Sequence, residues 1–420
     1  MTVVELSGSD DQVQFRRALS SDSAALVELH GRVYRSDDDD RYRAQVADLL
    51  ERRHPTFDGR SMTVAIDRST GAIVSSAHLS RQQWRIGDGV LSVGEIEDVA
   101  TDPRWEGRGL VRRQIALLES WSRERGDALM AINGIPWLYT RFGFDLTLPK
   151  RGGRRLTPLA FHLGPAGAVN VRRATEDDLA TIDDLHREAA PRSLVSSVRT
   201  LDQWRFELNG RSPSPWHREL WMLDDATGPI GFVSFDRAEH HADAIEIRGG
   251  DIAWLAVLRD LAHALGDPTA RALSFEWITH HPMYDAAPEA FLEPATFDVP
   301  GRRAAWYTKV LDPVVAVESM TGRWSDVADG PPITINRFDR PSLALVPADG
   351  TLRAEPWTPV SIYDGDVGAA DDTFDLMLFG IDDIDHLERT RPYRVRTTPA
   401  AADALRRCFP VLPSQLLPQY

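Results

Sequence analysis

The 420-residue chain is 42% apolar and 26% charged, an ordinary globular balance that excludes disorder as its theme and suggests about three domains. Its 63 acidic against 48 basic side chains give a formal net charge of −15, which argues against nucleic acid or anionic lipid as partners and favours cations. Cys408 is the single cysteine, so neither an intrachain disulfide nor a cysteine-based zinc cage can form. Lysine occurs only at positions 150 and 309, which reads as the mark of a GC-rich genome. The opening Met1 to Phe15 carries Glu5, Asp10 and Asp11 and has no apolar core, and no window approaches 18 uninterrupted apolar residues. The expectation is a soluble, cytoplasmic protein with no secretory signal and no membrane span.

The stretch Val13 to His30 reads as a strand, a turn and an amphipathic helix, and it recurs as Val169 to His186. Eight of the 18 aligned positions are identical at a constant offset of 156, which points to two related domains and not to a short-period solenoid. In the second copy Thr175 and Asp178 form an approximate capping box. After the first opening come an acidic run, Asp37 to Asp40, and a helix, Tyr42 to Arg53. Strands follow at Met62 to Ile66, Ala72 to Trp84 and Leu91 to Thr101, with the turn Ser69-Thr70-Gly71 between the first two. A glycine-bearing segment leads into a helix ending near Arg125, then a strand, Leu129 to Asn133, and the segment Pro136 to Phe144. The order β-α-α-β-β-β-α-β-α implies an α/β fold, a mixed sheet with helices on both faces.

The boundary of this unit falls in the Gly- and Pro-rich stretch Lys150 to Gly167. The second unit repeats the pattern loosely: Leu220 to Leu223, the Asp224–Pro229 turn, Ile230 to Asp236, Ala244 to Arg248, a helix Ile252 to Ala264, and Ala272 to Trp277. From about Pro313 the chain is rich in Pro and Asp, with strands at Ile333 to Phe338 and Ser342 to Pro347. Helices are expected near Ile384 to Arg389 and at Pro399 to Cys408. His240-His241 and His280-His281 invite a metal reading, but adjacent strand residues face opposite sides, so surface histidines and no metal are expected.

The chemistry concentrates in Glu95 to Leu110, where a strand runs into Arg104-x-x-Gly107-x-Gly109 and a helix starts at once. Glycines let backbone N–H groups converge, and the helix N-terminus adds partial positive charge, a combination that holds a diphosphate. Arg108 and Arg112 add cationic side chains. A nicotinamide-type glycine fingerprint and a Walker lysine are both absent. The second unit has only Arg248-Gly-Gly-Asp251 at the corresponding place, so it reads as a degenerate copy without a cofactor.

Arg104-x-x-Gly107-x-Gly109, followed by Tyr139-Thr-Arg-Phe-Gly143-Phe144, resembles the GCN5-related N-acetyltransferase superfamily. Val99-Ala-Thr101, Gly107-Arg-Gly-Leu110 and Tyr139 to Phe144 resemble most the enhanced intracellular survival (Eis) type of acetyltransferase. The resemblance implies tandem acetyltransferase-like domains, 1–155 and 165–310, the second degenerate, and a sterol-carrier-like α+β domain, 311–420, in which Phe374 to Gly380 is a matching phrase. It implies acetyl-coenzyme A as co-substrate, acetyl transfer to an amine of a cationic small molecule or peptide, and homo-oligomers, hexamers among them. It places Val99, Ala100 and Thr101 along the pantetheine and acetyl group, and Arg104, Gly107, Arg108, Gly109, Leu110, Val111 and Arg112 about the diphosphate. Gly134 and Ile135, with Asn133 as a weaker candidate, match the pair that nears the cofactor.

Tyr139 is the implied general acid, since a phenol with a reference pKa near 10 is matched to a departing thiolate. For the base three candidates stand. Glu95 and Glu97 flank Ile96 on a strand and project to one face, or else are solvated edge residues. The resemblance adds the terminal carboxylate of Tyr420, although the resembled proteins usually end in phenylalanine. Asp37 to Asp40 is either a substrate-facing rim or a solvated loop. Two other functions are compatible with the same residues: an acyl-coenzyme A sensor without turnover, and a carrier of an apolar ligand.

Overall fold

The computed structural model describes residues 12–34, 39–51, 54–57, 61–135, 138–149, 153–164, 167–249, 252–267, 269, 272–275, 278, 280–294, 305–320, 324, 330–370 and 372–417. The first stretch holds β1 (Val13–Arg17), α1 (Ser23–Val33), α2 (Asp39–Glu51), β2 (Met62–Asp67), β3 (Ile73–Ile86), β4 (Gly89–Thr101), α3 (Leu110–Arg125), β5 (Leu129–Ile132) and β6 (Asp145–Pro149). This is the order read from the sequence except at its end. Tyr139–Phe142 is a single 3-10 turn rather than a closing helix, and a strand, β6, follows it.

The second stretch runs β7 (Arg154–Leu156), α4 (Pro158–His162), β8 (Asn170–Arg173), α5 (Leu179–Ala189), β9 (Val195–Val198), α6 (Leu201–Arg205), β10 (Glu219–Asp225), β11 (Gly228–Asp236) and β12 (His241–Ile247). It continues with α7 (Trp254–Leu265), β13 (Ser274–Phe275), α8 (Pro282–Ala286), β14 (Leu292–Pro294) and β15 (Ala305–Val310). The third holds α9 (Pro313–Glu318), β16 (Ile333–Asn336), β17 (Ser342–Ala348), β18 (Thr351–Trp357), β19 (Val367–Ala369), α10 (Thr373–Leu378), α11 (Ile384–Thr390), β20 (Val395–Thr397) and α12 (Pro399–Cys408). The fold is mixed α/β, with three sheets among the described residues.

The repeat is structural. In both copies a 3-10 turn precedes the helix, and an arginine of the opening strand binds the turn's aspartate: Arg16 on Asp22 at 2.6 Å and Arg172 on Asp178 at 2.7 Å. Thr175 donates to Asp178 from both its N–H and its hydroxyl, which fixes the turn before α5. Each helix then buries a stripe at helical spacing, Leu26, Leu29 and His30 in one and Ile182, Leu185 and His186 in the other.

Strand order in the first sheet is β1-β2-β3-β4-β5-β15-β6, with β9 pairing β3. Two of these strands, β9 and β15, thus come from the stretch expected to belong to the second unit. β15 lies antiparallel to both neighbours, Tyr307 opposite Ile132 and Thr308 opposite Asp145. The second sheet is β14-β7-β13-β12-β11-β10-β8, and the third is β18-β17-β16-β19-β20. One face of the first sheet, with Trp84, Leu129 and Trp306, shares a continuous core with Trp324, Phe374 and Phe409 of the third stretch. Its other face packs Ile96, Met130 and Tyr307 under Ile115 and Leu118 of α3. Among the described residues no helix is long and apolar enough to cross a membrane.

Candidate active site

The first sheet opens at its centre. β4 and β5 pair in parallel from Val93–Leu129 to Ile96–Ile132, and there the ladder ends, while β4 continues to Thr101 along β3. A bulge marks the divergence: Ala100 pairs Ser76 and Glu97 pairs His78, so Asp98 and Val99 stand opposite Ala77 alone. Asp98 takes a left-handed backbone (φ 49°), which bends β4 away from β5. The wedge so formed holds a cavity of about 1090 Å³, lined on one side by Ile96, Glu97, Val99 and Thr101 and on the other by Ile132, Gly134 and Ile135.

One end of the cavity is the glycine turn. Gly107 and Gly109 have φ of 73° and 74°, a region closed to most side chains, and Gly109 caps the N-terminus of α3. Among the described residues, the adjoining ones aside, no atom lies within 4 Å of where a Cβ would stand on either glycine, so the backbone there is open. Leu110, Val111 and Arg112 of the first helical turn line the same end, and the Arg112 guanidinium lies 5.2 Å from the Phe142 ring centroid. A diphosphate fits this cradle, because it meets N–H groups, a helix dipole and one arginine.

Tyr139 sits at the mouth of the wedge, 4% exposed, with its ring 6.1 Å from Tyr307 and 6.3 Å from Phe142. Burial, and secondarily the negative charge of Glu97, push its phenol above the ordinary tyrosine value. The phenol therefore stays protonated at neutral pH, as a proton donor must. Gly134 fits directly against the ring: a Cβ there would fall 2.0 Å from Tyr139 Cε2. We expect Gly134→Ala to displace the ring, costing about 1–3 kcal/mol of stability and about 10²-fold in turnover, read by urea denaturation and thiol release.

The opposite end is acidic and aromatic. Glu97 is 6% exposed, and Asp98 beside it accepts a hydrogen bond from Gln45 Nε2 at 3.0 Å. Tyr34 stacks on Tyr42 with ring centroids 5.1 Å apart, and the Tyr34 hydroxyl donates to the Val99 carbonyl at 2.7 Å. Burial first, then the charge of Asp98, raise the Tyr34 phenol well above its usual value. Trp216 of the second stretch completes the wall. Its loop is tied to α2, because Arg41 donates to the Ser214 carbonyl at 2.9 Å and the Ser212 hydroxyl donates to Asp48 at 2.8 Å.

Of the residues singled out in the sequence, Glu97, Val99, Thr101, Gly107, Gly109 and Leu110 line this one cavity. So do Val111, Arg112, Gly134, Ile135 and Tyr139, with Asn133 among them. Four others do not. Glu95 is 1% exposed, opposite Ser80; the unbroken register to Glu97 keeps both on one face of β4, but only Glu97 lines the cavity, and neither is a solvated edge. The Ala100 side chain is buried with Leu26 and Val64, and its carbonyl accepts from Ser75 Oγ. Arg104 is held by Asp102, with bonds of 3.0 and 2.9 Å, and points to solvent. Arg108 reaches Gln12 and lies over Trp105.

Tyr420 lies outside the described residues, as do Asp37 and Asp38; Asp40 is exposed on α2. Tyr34, Tyr42, Asp98 and Trp216 escaped the sequence reading. Only Tyr34, close behind the repeated Leu-His, had a local signal. The histidine pairs are not both at the surface: His241 and His281 are 7% and 8% exposed, engaged by Asp243 and by the Ile245 carbonyl. Among the described residues no cluster of three metal-ligating side chains occurs.

The sequence profile of the acetyltransferase (GNAT) domain matches residues 14–147. No curated protein matches the chain by sequence. Among solved structures the chain is similar to a GCN5-related N-acetyltransferase from Kribbella flavida, at 16% identity and a TM-score of 0.69, over 97% of this chain and all of the other. It is also similar to a GCN5-related N-acetyltransferase from Anabaena variabilis, at 10% identity and a TM-score of 0.72 over the same shares. Eis1 from Mycobacterium abscessus superimposes at 15% identity and a TM-score of 0.63, over 95% of this chain and 98% of the other. Residues 14–147, which build the wedge, the glycine turn and the tyrosine, are thus the part of the chain that matches the GNAT acetyltransferase domain, in keeping with an acyltransferase.

Proposed function

We propose that the chain transfers an acetyl group from acetyl-coenzyme A to the amine of a cationic small molecule or peptide. The observation that carries this reading is a single wedge with a diphosphate cradle at one end and two carboxylates beside stacked tyrosines at the other. Acetyl-coenzyme A, when bound, supplies the activated thioester carbonyl. The chain does the rest. The turn Gly107–Leu110 anchors the anionic end, and the diverged β4 edge offers its backbone groups along the wedge. Glu97 takes the proton of the incoming ammonium, and the buried Tyr139 hydroxyl protonates the departing thiolate. Glu97 and Asp98 recognise a cation by charge and Tyr42 by its ring quadrupole, with Tyr34 stacked between Tyr42 and His30.

In this reading 1–155 is the catalytic domain, completed by β9 and β15, and 165–310 is a second acetyltransferase-like domain without its own diphosphate turn. Residues 311–420 form a sterol-carrier-like domain, a reading supported by a five-stranded sheet covered by α10, α11 and α12. Thiol release from acetyl-coenzyme A with cationic, neutral and anionic amines tests the function. Release is expected with the cationic set only, and Glu97→Gln is expected to lower kcat/KM about 10²-fold near neutral pH, where the carboxylate is ionised and the amine is an ammonium, with the loss shrinking as the amine deprotonates at high pH. Equal turnover of anionic amines, or an unaffected Glu97→Gln, contradicts the reading. A lipid that co-purifies, without thiol release, points to a carrier.

A further inference from the structure

The other copy of the repeat has a cavity of its own, of about 720 Å³. Its wall includes Ala189 and Ala190 at the end of α5, which the offset of 156 maps onto Val33 and Tyr34 of the first cavity. Here too the parallel ladder is short: β12 and β13 share one pair, His241 with Ser274, and the strands then part. Glu246 of β12 and His281, beyond β13, both line the opening, and the His281 ring reaches the Ile245 carbonyl of β12. The chain's tail closes the third side. Leu194 N–H donates to the Pro413 carbonyl and Gln415 N–H to the Val195 carbonyl, which brings Ser414 and Gln415 to the wall.

Some polar groups of this wall are already engaged. Glu246 is committed to Arg192, and both ring nitrogens of His281 are used, one on the Ile245 carbonyl and one by Met283 N–H. By contrast His186 Nδ1, Ser196 Oγ, Ser414 Oγ and Gln415 Nε2 have no hydrogen-bond partner among the described residues. His186, Ser196 and Ser414 are 6%, 4% and 7% exposed, so bulk water does not satisfy them. Arg154 lines the same space with its guanidinium 5.8 Å from the Tyr284 ring centroid, and no ion pair to it occurs among the described residues. Asp285 lines the same space but makes no ion pair with Arg154 among the described residues, and the unsatisfied polar atoms beside that guanidinium are what a ligand with oxygen atoms and one negative charge would complete.

We propose that this cavity binds a small hydroxylated organic carboxylate, its carboxylate on Arg154 and its neutral oxygens on Ser196, Ser414 and His186. The site is independent of acetyl transfer and takes no coenzyme. Calorimetry of the full chain with lactate, malate, citrate and quinate tests it, with glycerol as the uncharged probe. Saturable one-site binding of at least one carboxylate, and none of glycerol, is expected. Arg154→Gln is expected to weaken that binding about tenfold or more, and Ser196→Ala to weaken it by a smaller factor, both without change in the coenzyme A titration. No saturable carboxylate binding, or binding that both substitutions leave at the wild-type value, overturns the proposal.

Discussion

Replacing Tyr139 by phenylalanine is expected to lower turnover about 10²- to 10³-fold while leaving coenzyme A affinity near the wild-type value. The substitution removes one oxygen from a ring that is otherwise fixed by Gly134, Phe142, Phe144 and Tyr307, so the ring position is kept and only the proton is lost. The glycine turn at the other end of the wedge is untouched, which separates chemistry from binding. Burial and the Glu97 charge hold the phenol above its ordinary value. The hydroxyl therefore stays protonated through the weakly alkaline range, and the rate profile is expected to show no fall there from Tyr139 ionisation. Single-turnover thiol release against pH, in the wild type and in Tyr139→Phe, measures both effects. Turnover unchanged in the variant would remove Tyr139 from the mechanism.

Asp375→Ala is expected to cost about 3–5 kcal/mol of stability, the largest structural effect we foresee. Arg337 is 1% exposed and donates to Asp375 at 2.6 Å, while its guanidinium lies 4.5 Å from the Phe374 ring centroid. Loss of the carboxylate leaves that guanidinium charged and without its partner in the shared core. The second oxygen of Asp375 lies 3.6 Å from Arg340 Nη1, and Arg340 also binds Asp145 on β6. The cluster therefore ties the third stretch to the edge of the first sheet, two strands from β5 and the wedge. Urea denaturation measures the loss. A change of less than about 1 kcal/mol would mean that water enters and solvates Arg337.

The parts of the fold that rest on local rules were legible. The αL glycines before α3, the helical stripe that follows them, and the Arg16–Asp22 and Arg172–Asp178 pairs of the repeat are each encoded within a few residues. What pairs over long distances was not. β15 reads as an unremarkable apolar run, and nothing near Trp306 or Tyr307 announces that it separates β5 from β6. β9 was missed for the same reason, since Val195–Val198 finds its partner on β3. The strand alternation that placed Glu95 and Glu97 on one face holds, because the bulge lies beyond Glu97, but alternation does not show that Glu95 is buried away from the cavity. The pairing of Arg104 with Asp102 was not legible either, because the motif gives the arginine's spacing but not its partner. Trp216 reaches the site only through the docking of one unit on another, which no local pattern reveals.

The most direct measurement is calorimetric titration of coenzyme A into the intact protein, paired with Gly107→Val. The account predicts saturable heat at one site per chain in the wild type. Its strong loss is expected when a β-branched side chain is forced into the αL position of the cradle. No heat in the wild type, or equal affinity in Gly107→Val, would contradict the placement of the diphosphate on which the proposed chemistry depends.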